Sequence, residues 1–132
     1  MKKIEHLTNK EHEIMTILWN SDRPMAISEI ASKTKTVAPN SMHPMVNSLL
    51  AKNFIRVAGN VKLVKTNSRL YAPAVTVDEY VSSQIVDIYR SSNKPMDMTV
   101  LMSAFVKYGS NKQRSGEIVA ELEHFVAEYK KD

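Results

Sequence analysis

The chain has no cysteine, only three glycines, one tryptophan and three phenylalanines among its 132 residues. Without cysteine there is no disulfide framework, no thiolate metal site and no cysteine nucleophile. So few glycines leave no phosphate-cradling loop and no nucleophile elbow, and neither a metalloprotease motif nor a paired-carboxylate site stands in their place. Catalysis is therefore not expected, nor is a cofactor or a bound metal. No run approaches the roughly 18 apolar residues of a membrane-spanning helix. The N-terminus MKKIEHLTNK is basic but lacks the apolar stretch of a secretory signal. No membrane insertion and a cytoplasmic location are the expectations. His6 and His12, with Glu5, Glu11 and Glu13 nearby, match no closed metal site, and Met96, Met98 and Met102 at helical intervals read as core filler or dimer surface.

What is present is charge, unevenly placed. The net charge is +4. Residues 1–75 carry eleven Lys and Arg against five Asp and Glu, a net +6, whereas 76–132 carry seven against nine, a net −2. A polyanionic partner demands such a local excess rather than a global one.

The apolar spacing is mostly helical. Thr8 and Glu11 have the spacing of a capping box, so a first helix begins at Thr8, with Ile14, Met15, Leu18 and Trp19 inward and Glu11, His12, Thr16 and Asn20 mostly outside. Ser21–Pro24 ends it, and a short second helix covers 27–33. After a polar connector over 34–39, Pro39 is placed as the first residue of a third helix. Its inward stripe is Met42, Met45, Val46, Leu49 and Leu50, and Asn53 suits the left-handed residue that closes such a helix. Two β-rich runs follow, 55–64 and 69–72, with Lys65-Thr66-Asn67-Ser68 as the hairpin turn. Beyond a boundary near 74–78 the helical pattern returns. Asp78 caps a helix to about Tyr89, with Tyr80, Ile85, Ile88 and Tyr89 among its contacts, and further helices cover about 99–108 and 116–130.

Three helices, a helix-turn-helix connector and a β-ribbon define a winged helix-turn-helix. The expected fold is thus mostly α with a small β-hairpin, built as a winged-helix domain over 1–75 and a helical dimerisation domain over 76–132. Such modules read double-stranded DNA with the N-terminal part of the third helix, which assigns Asn40, Ser41 and His43, with Asn47 more remote, to base contact. Phosphate neutralisation falls to Arg56, Lys62, Lys65 and Arg69 on or beside the ribbon, joined by Lys33, Lys35 and Lys52. The C-terminal helices are too short to bury a stable core alone, so a second copy is the simplest partner, and Ile118, Leu122, Phe125 and Val126 are assigned to that homodimer.

The segments LTNKEHEIMTILW, APNSMHPMVNSLLAKNFI, RLYAP and the terminal EIVAELEHFV together resemble the family of penicillinase, methicillin-resistance and copper-transport repressors, over essentially the whole chain. The resemblance implies a dimeric repressor on an inverted-repeat operator. For the β-lactam branch it also implies a regulatory protease acting on the dimerisation domain, at a position that falls on Ala104-Phe105. The chain departs from the family pattern at several points. The cysteine cluster of the copper-responsive members is absent. Ala104 replaces a polar residue, Pro44 stands where Thr is usual, Ser48 where Arg is common, and nothing basic lies between Val37 and Ala51. These departures keep open a competing reading, a winged-helix module that binds a protein partner instead of reading bases.

Overall fold

The computed structural model describes residues 3–62, 65–109 and 111–131. In chain order the elements are α1 (Asn9–Trp19), β1 (Met25–Ala26), α2 (Ile27–Lys33), α3 (Pro39–Ala51), β2 (Ile55–Lys62), β3 (Asn67–Pro73), α4 (Val77–Ser91), α5 (Met98–Tyr108) and α6 (Lys112–Lys130). This is the mostly helical winged helix-turn-helix with a small sheet that the sequence predicts. Two compact units result, Met1–Arg90 and Ser91–Asp132. α4, grouped with the C-terminal helices in the sequence reading, packs in the first of them.

Local chemistry explains where α1 and α3 begin and end. At the start of α1 the Thr8 hydroxyl accepts from the Glu11 N–H (3.2 Å) and the Glu11 carboxylate accepts from the Thr8 N–H (3.0 Å), a reciprocal capping box. α3 opens on Pro39, whose missing N–H costs nothing there. It closes on Asn53, at φ 63°, the left-handed geometry that asparagine tolerates better than other side chains. The Asn53 N–H donates to the Leu50 carbonyl (3.0 Å) and the Phe54 N–H to the Leu49 carbonyl (2.9 Å), the two bonds of a Schellman motif. Those bonds turn the chain directly into β2.

The first unit's core gathers Ile14, Met15 and Leu18 from α1, Ile30 from α2, and Met42, Val46 and Leu49 from α3, with Met25, Ile55 and Tyr71 from the strands and Phe54 from the turn before β2. Burying each large side chain stabilises the fold by roughly 1.5–3 kcal/mol relative to leaving it in water. Trp19 is only half-buried, and its indole N–H donates to the Val75 carbonyl at 2.9 Å.

Three expectations are corrected. A short strand, β1, was not foreseen; it pairs antiparallel with β3, Met25 opposite Tyr71, and gives the sheet order β1-β3-β2. Two residues are too few to carry an alternating pattern, so only the pairing reveals it. Asn67 and Ser68, assigned to the hairpin turn, instead pair with Lys62 and Val61 within the ribbon, where cross-strand pairing overrides their turn preference. Of the residues assigned to the first strand, Leu63 and Val64 lie outside the described residues. Thr76, not Asp78, caps α4: its hydroxyl accepts from the Glu79 N–H (3.1 Å), and its N–H donates to the Glu79 carboxylate (3.0 Å).

The ribbon carries one irregularity. Val57 pairs with Tyr71 and Gly59 with Leu70, so Ala58 is an extra residue on β2. Gly59 follows it at φ 157°, a backbone that L side chains rarely adopt.

α4 is fastened to this unit by Tyr80. Its ring lies 5.8 Å from Trp19 and 5.9 Å from Phe54, and its hydroxyl accepts the Leu7 N–H at 2.9 Å. The second unit holds α5 and α6. Asp97 caps α5 by accepting from the Thr99 N–H, and Asn111 caps α6 by accepting from the Arg114 N–H, each at 2.9 Å. Among the described residues, no helix is long and apolar enough to cross a membrane.

The α3 terminus yields a stability prediction. Asn53→Ala removes the short polar side chain that makes the left-handed region tolerable and is expected to lower unfolding free energy by about 1 kcal/mol, whereas Asn53→Gly, with no Cβ, should hold or raise it. Urea denaturation of both variants checks the pair.

Candidate nucleic-acid interface

α3 separates its residues cleanly by direction. Met42, Val46 and Leu49 are at most 1% exposed and face the core. Asn40, His43, Pro44 and Asn47, related by the i, i+3, i+4, i+7 spacing of one helical face, are all exposed. Ser41 departs from that stripe: it is half-buried on a flank with Met45 and Ser48. The face proposed for base contact thus unites Asn40, His43 and Asn47, with Ser41 at its edge. The helix continues through Pro44, which has no N–H to give the Asn40 carbonyl.

The ribbon divides the basic residues. Asn60 pairs with Arg69 and Lys62 with Asn67, and paired residues share a face, so Lys62 and Arg69 emerge on the same side of the wing with two asparagines between them. Arg56 pairs with Ala72 and therefore lies on the opposite side. Lys65 sits in the connecting loop, and all four cations are exposed. Lys33 and Lys35 are exposed near the helix-turn-helix connector.

Lys52 is engaged elsewhere, which removes it from the expected phosphate contacts. Its ammonium lies 2.9 Å from the Glu11 carboxylate and 4.0 Å from Glu5. Glu11 itself is 4% exposed, contrary to its expected place outside the buried face. A carboxylate can be buried here because its partners converge on it. The Thr8 N–H donates to one oxygen, while Lys52 and, at 3.4 Å, the Ser48 hydroxyl donate to the other. Burial pushes the Glu11 carboxyl up. The Thr8 N–H, the Lys52 ammonium, the Thr8 hydroxyl and the Lys52 charge outweigh it and hold the group below its ordinary value of 4.5.

Glu13 is a second carboxylate whose role the sequence did not disclose. One oxygen accepts from the Lys35 N–H (2.7 Å) and the Thr36 N–H (3.2 Å), the other from the Thr36 hydroxyl (2.8 Å). The Thr36 hydroxyl and these two backbone donors hold its carboxyl below 4.5. Neither long-range contact could have been found by spacing, since Lys52 lies 41 positions from Glu11 and Thr36 lies 23 from Glu13; spacing disclosed only the part Glu11 plays in the capping box. Among the described residues, no group of three or more His, Cys, Asp and Glu stands close enough together to hold a metal ion.

A tri-helical core, a helix-turn-helix connector, an outward polar face on the third helix and a basic ribbon leaving its end define the class: a winged-helix transcriptional regulator. Residues 7–128 match the penicillinase repressor family. The chain belongs to that family, and membership marks it as a transcriptional repressor. It is 26% identical over 132 residues to the penicillinase repressor of Bacillus licheniformis, covering 98% of this chain and 96% of that protein. The structure is distantly similar to that of a mutant of Lactococcus lactis ZitR, with a TM-score of 0.41 and 14% identity over 98% of this chain and 82% of that one. A likeness at that level adds nothing to the assignment.

The Glu11–Lys52 pair sets an expected pH response. A carboxyl whose folded pKa is depressed contributes stability that is present above the unfolded value near 4.5 and lost as pH falls through the folded value. Lys52→Met, which strands the buried carboxylate, should lower stability at pH 7 by about 2 kcal/mol, discounted because Lys52 is partly exposed. Chemical denaturation from pH 7 to pH 3 should show the difference between wild type and variant shrinking as Glu11 is protonated.

Proposed function

We propose that this repressor acts in the cytoplasm as a homodimer on an inverted-repeat operator in double-stranded DNA. The observation that carries the reading is the exposed polar stripe of α3 adjoining a ribbon whose Lys62 and Arg69 share a face. Asn40, His43 and Asn47, with Ser41 at the edge, present amide, imidazole and hydroxyl groups suited to base edges in the major groove. Asparagine offers a donor and an acceptor side by side, the pattern adenine presents there. Arg69, Lys62, Lys65 and Arg56 neutralise phosphates and thereby set register and most of the affinity. The absence of any cation on the exposed face of α3 makes the wing the chief electrostatic anchor.

The second half of the reading, dimerisation through the C-terminal helices, is supported by what these helices leave uncovered. Among the described residues, none in α5 or α6 is buried. Ile118 and Leu122 are half-buried, whereas Phe125 is 64% and Val126 46% exposed, and Val100, Tyr108 and Tyr129 are more than half exposed. A soluble chain gains from covering such a surface with a second copy, because each large apolar side chain removed from water stabilises the pair by roughly 1.5–3 kcal/mol. A two-fold dimer then matches a two-fold operator. A regulatory protease acting on these helices would meet Ala104 and Phe105 exposed in the middle of α5, so cleavage there requires α5 to open locally.

One observation favours a second reading. Pro44 stands in the middle of the exposed stripe, and a proline with uncharged neighbours is a surface that suits a protein partner. Salt separates the two, since contact through several cations weakens steeply with ionic strength and an apolar contact does not.

Selection from a pool of random duplexes, at two salt concentrations, should enrich an inverted repeat. Replacing Lys62 and Arg69 with Ala should weaken all duplexes alike and reduce the slope of log affinity against log salt by about 2, while Asn40→Ala should alter base preference at one position of each half-site. Unchanged binding in both variants would sink the docking scheme.

In sedimentation equilibrium the wild-type chain should behave as a dimer at micromolar concentration, and Phe125→Asp together with Leu122→Asp should leave a monomer with α1–α4 intact by circular dichroism. A monomeric wild type would overturn the dimer.

A further inference from the structure

The connector over 34–38 delivers the chain into the base-reading end of α3, yet little apolar packing holds it. Lys35, Thr36 and Ala38 are exposed, and Val37 is its buried anchor. One anchor fixes a point and leaves rotation about that point free. Thr34 is tied back to α2, its N–H donating to the Ile30 carbonyl and its hydroxyl to the Ala31 carbonyl, and the Ala38 carbonyl accepts the Ser41 N–H. The restraint on Lys35 and Thr36 comes from Glu13, on the neighbouring α1. Its two carboxylate oxygens receive the Lys35 N–H, the Thr36 N–H and the Thr36 hydroxyl at 2.7, 3.2 and 2.8 Å. A planar fork that accepts three donors from two consecutive residues determines the orientation of that peptide as well as its position.

The same helix grips α3 at its other end. Two positions before Glu13, the Glu11 carboxylate holds Ser48 and Lys52, at the C-terminal turn of α3 and its cap. α1 therefore holds the recognition helix at the far end through Glu11 and at the approach to Pro39 through Glu13.

We propose that Glu13 is a positioning residue for base reading, setting the angle at which the N-terminal turn of α3, with Asn40, Ser41 and His43, meets the major groove. The inference rests on the DNA-binding reading above. Direct hydrogen bonds to base edges fail with small changes of distance and angle, so they depend on the pose of a rigid helix. Phosphate contacts by long lysine and arginine side chains on the wing follow a small displacement without loss. Release of the connector accordingly erases discrimination between sequences while leaving general affinity for duplex. A residue that merely stabilised the fold would change the folded fraction and weaken every duplex by the same factor.

The test uses the full chain as wild type, Glu13→Ala and Glu13→Gln, each shown to be folded by circular dichroism and assayed well below its melting temperature. Glutamine is the informative rescue: its carbonyl oxygen accepts both N–H groups, and its amide N–H donates to the Thr36 hydroxyl oxygen, so the geometry survives without the charge. Each protein is titrated with the duplex that the wild type enriches and with a scrambled duplex of the same composition. Glu13→Ala should lower the ratio of the two affinities by about tenfold, the scale of one mismatched base pair, with the affinity for the scrambled duplex within about twofold of wild type. Glu13→Gln should keep the wild-type ratio. An unchanged ratio in Glu13→Ala, equal weakening on both duplexes, or a Glu13→Gln protein as indiscriminate as Glu13→Ala would each overturn the proposal. A wild type that enriches no sequence would overturn the DNA-reading scheme itself, and this inference with it.

Discussion

A carboxylate removed from water on the first helix is the constraint on which the winged-helix unit depends. Burying an unpaired charge costs several kcal/mol. Glu11 is tolerated only because the start of its own helix and the end of α3 bring donors to it. Satisfying that one group therefore fixes α1 against α3. The consequence travels along the chain, because α3 closes immediately afterwards on the left-handed Asn53 and the Schellman bonds to Leu49 and Leu50. β2 has no slack in which to wander. The direction in which the wing leaves the core is set by the same few residues that close α3.

In the proposed docking scheme the two surfaces so placed divide the work by chemistry. α3 presents short polar side chains without charge, which discriminate by hydrogen-bond geometry but attract weakly. The ribbon presents exposed cations, which attract strongly and discriminate poorly. In the docking scheme proposed above, recognition depends on the relative placement of the two; Glu11 holds the end of α3 and Glu13 the connector before it. α4 extends the same unit: Tyr80 ties it to Trp19, Phe54 and the Leu7 backbone. The helices after it form a unit of their own, rich in exposed apolar side chains.

How legible this was depended on the range of the interaction. The capping box of Thr8 and Glu11, the proline opening α3 and the asparagine closing it are all local, and each stands where spacing and backbone preference put it. The inward stripe of Met42, Val46 and Leu49 followed from the helical period, and the outward face of Asn40, His43 and Asn47 is its complement. Local rules failed where two readings were locally equivalent. Thr76 and Asp78 are both good caps, and Thr76 prevails because Glu79 completes the reciprocal box. Asn67 and Ser68 favour turns, yet in the ribbon they find partners in Lys62 and Val61.

The sequence by itself determined the class of fold, because helical and strand periods, caps and turns are written in neighbouring residues and the alternation of charge between the two halves needs no coordinates. Only the tertiary structure decided what the charged residues do. Glu11 and Lys52 look like surface groups of opposite sign and are in fact partners that join α1 to the end of α3. Glu13 looks like a solvated glutamate and holds the connector. Arg56 looks like a companion of Arg69 and lies on the opposite face of the ribbon. The reason is physical: hydrophobic patterning acts over one helical turn and can be read in one dimension, whereas a charge is defined by whichever group folding brings within about 3 Å of it.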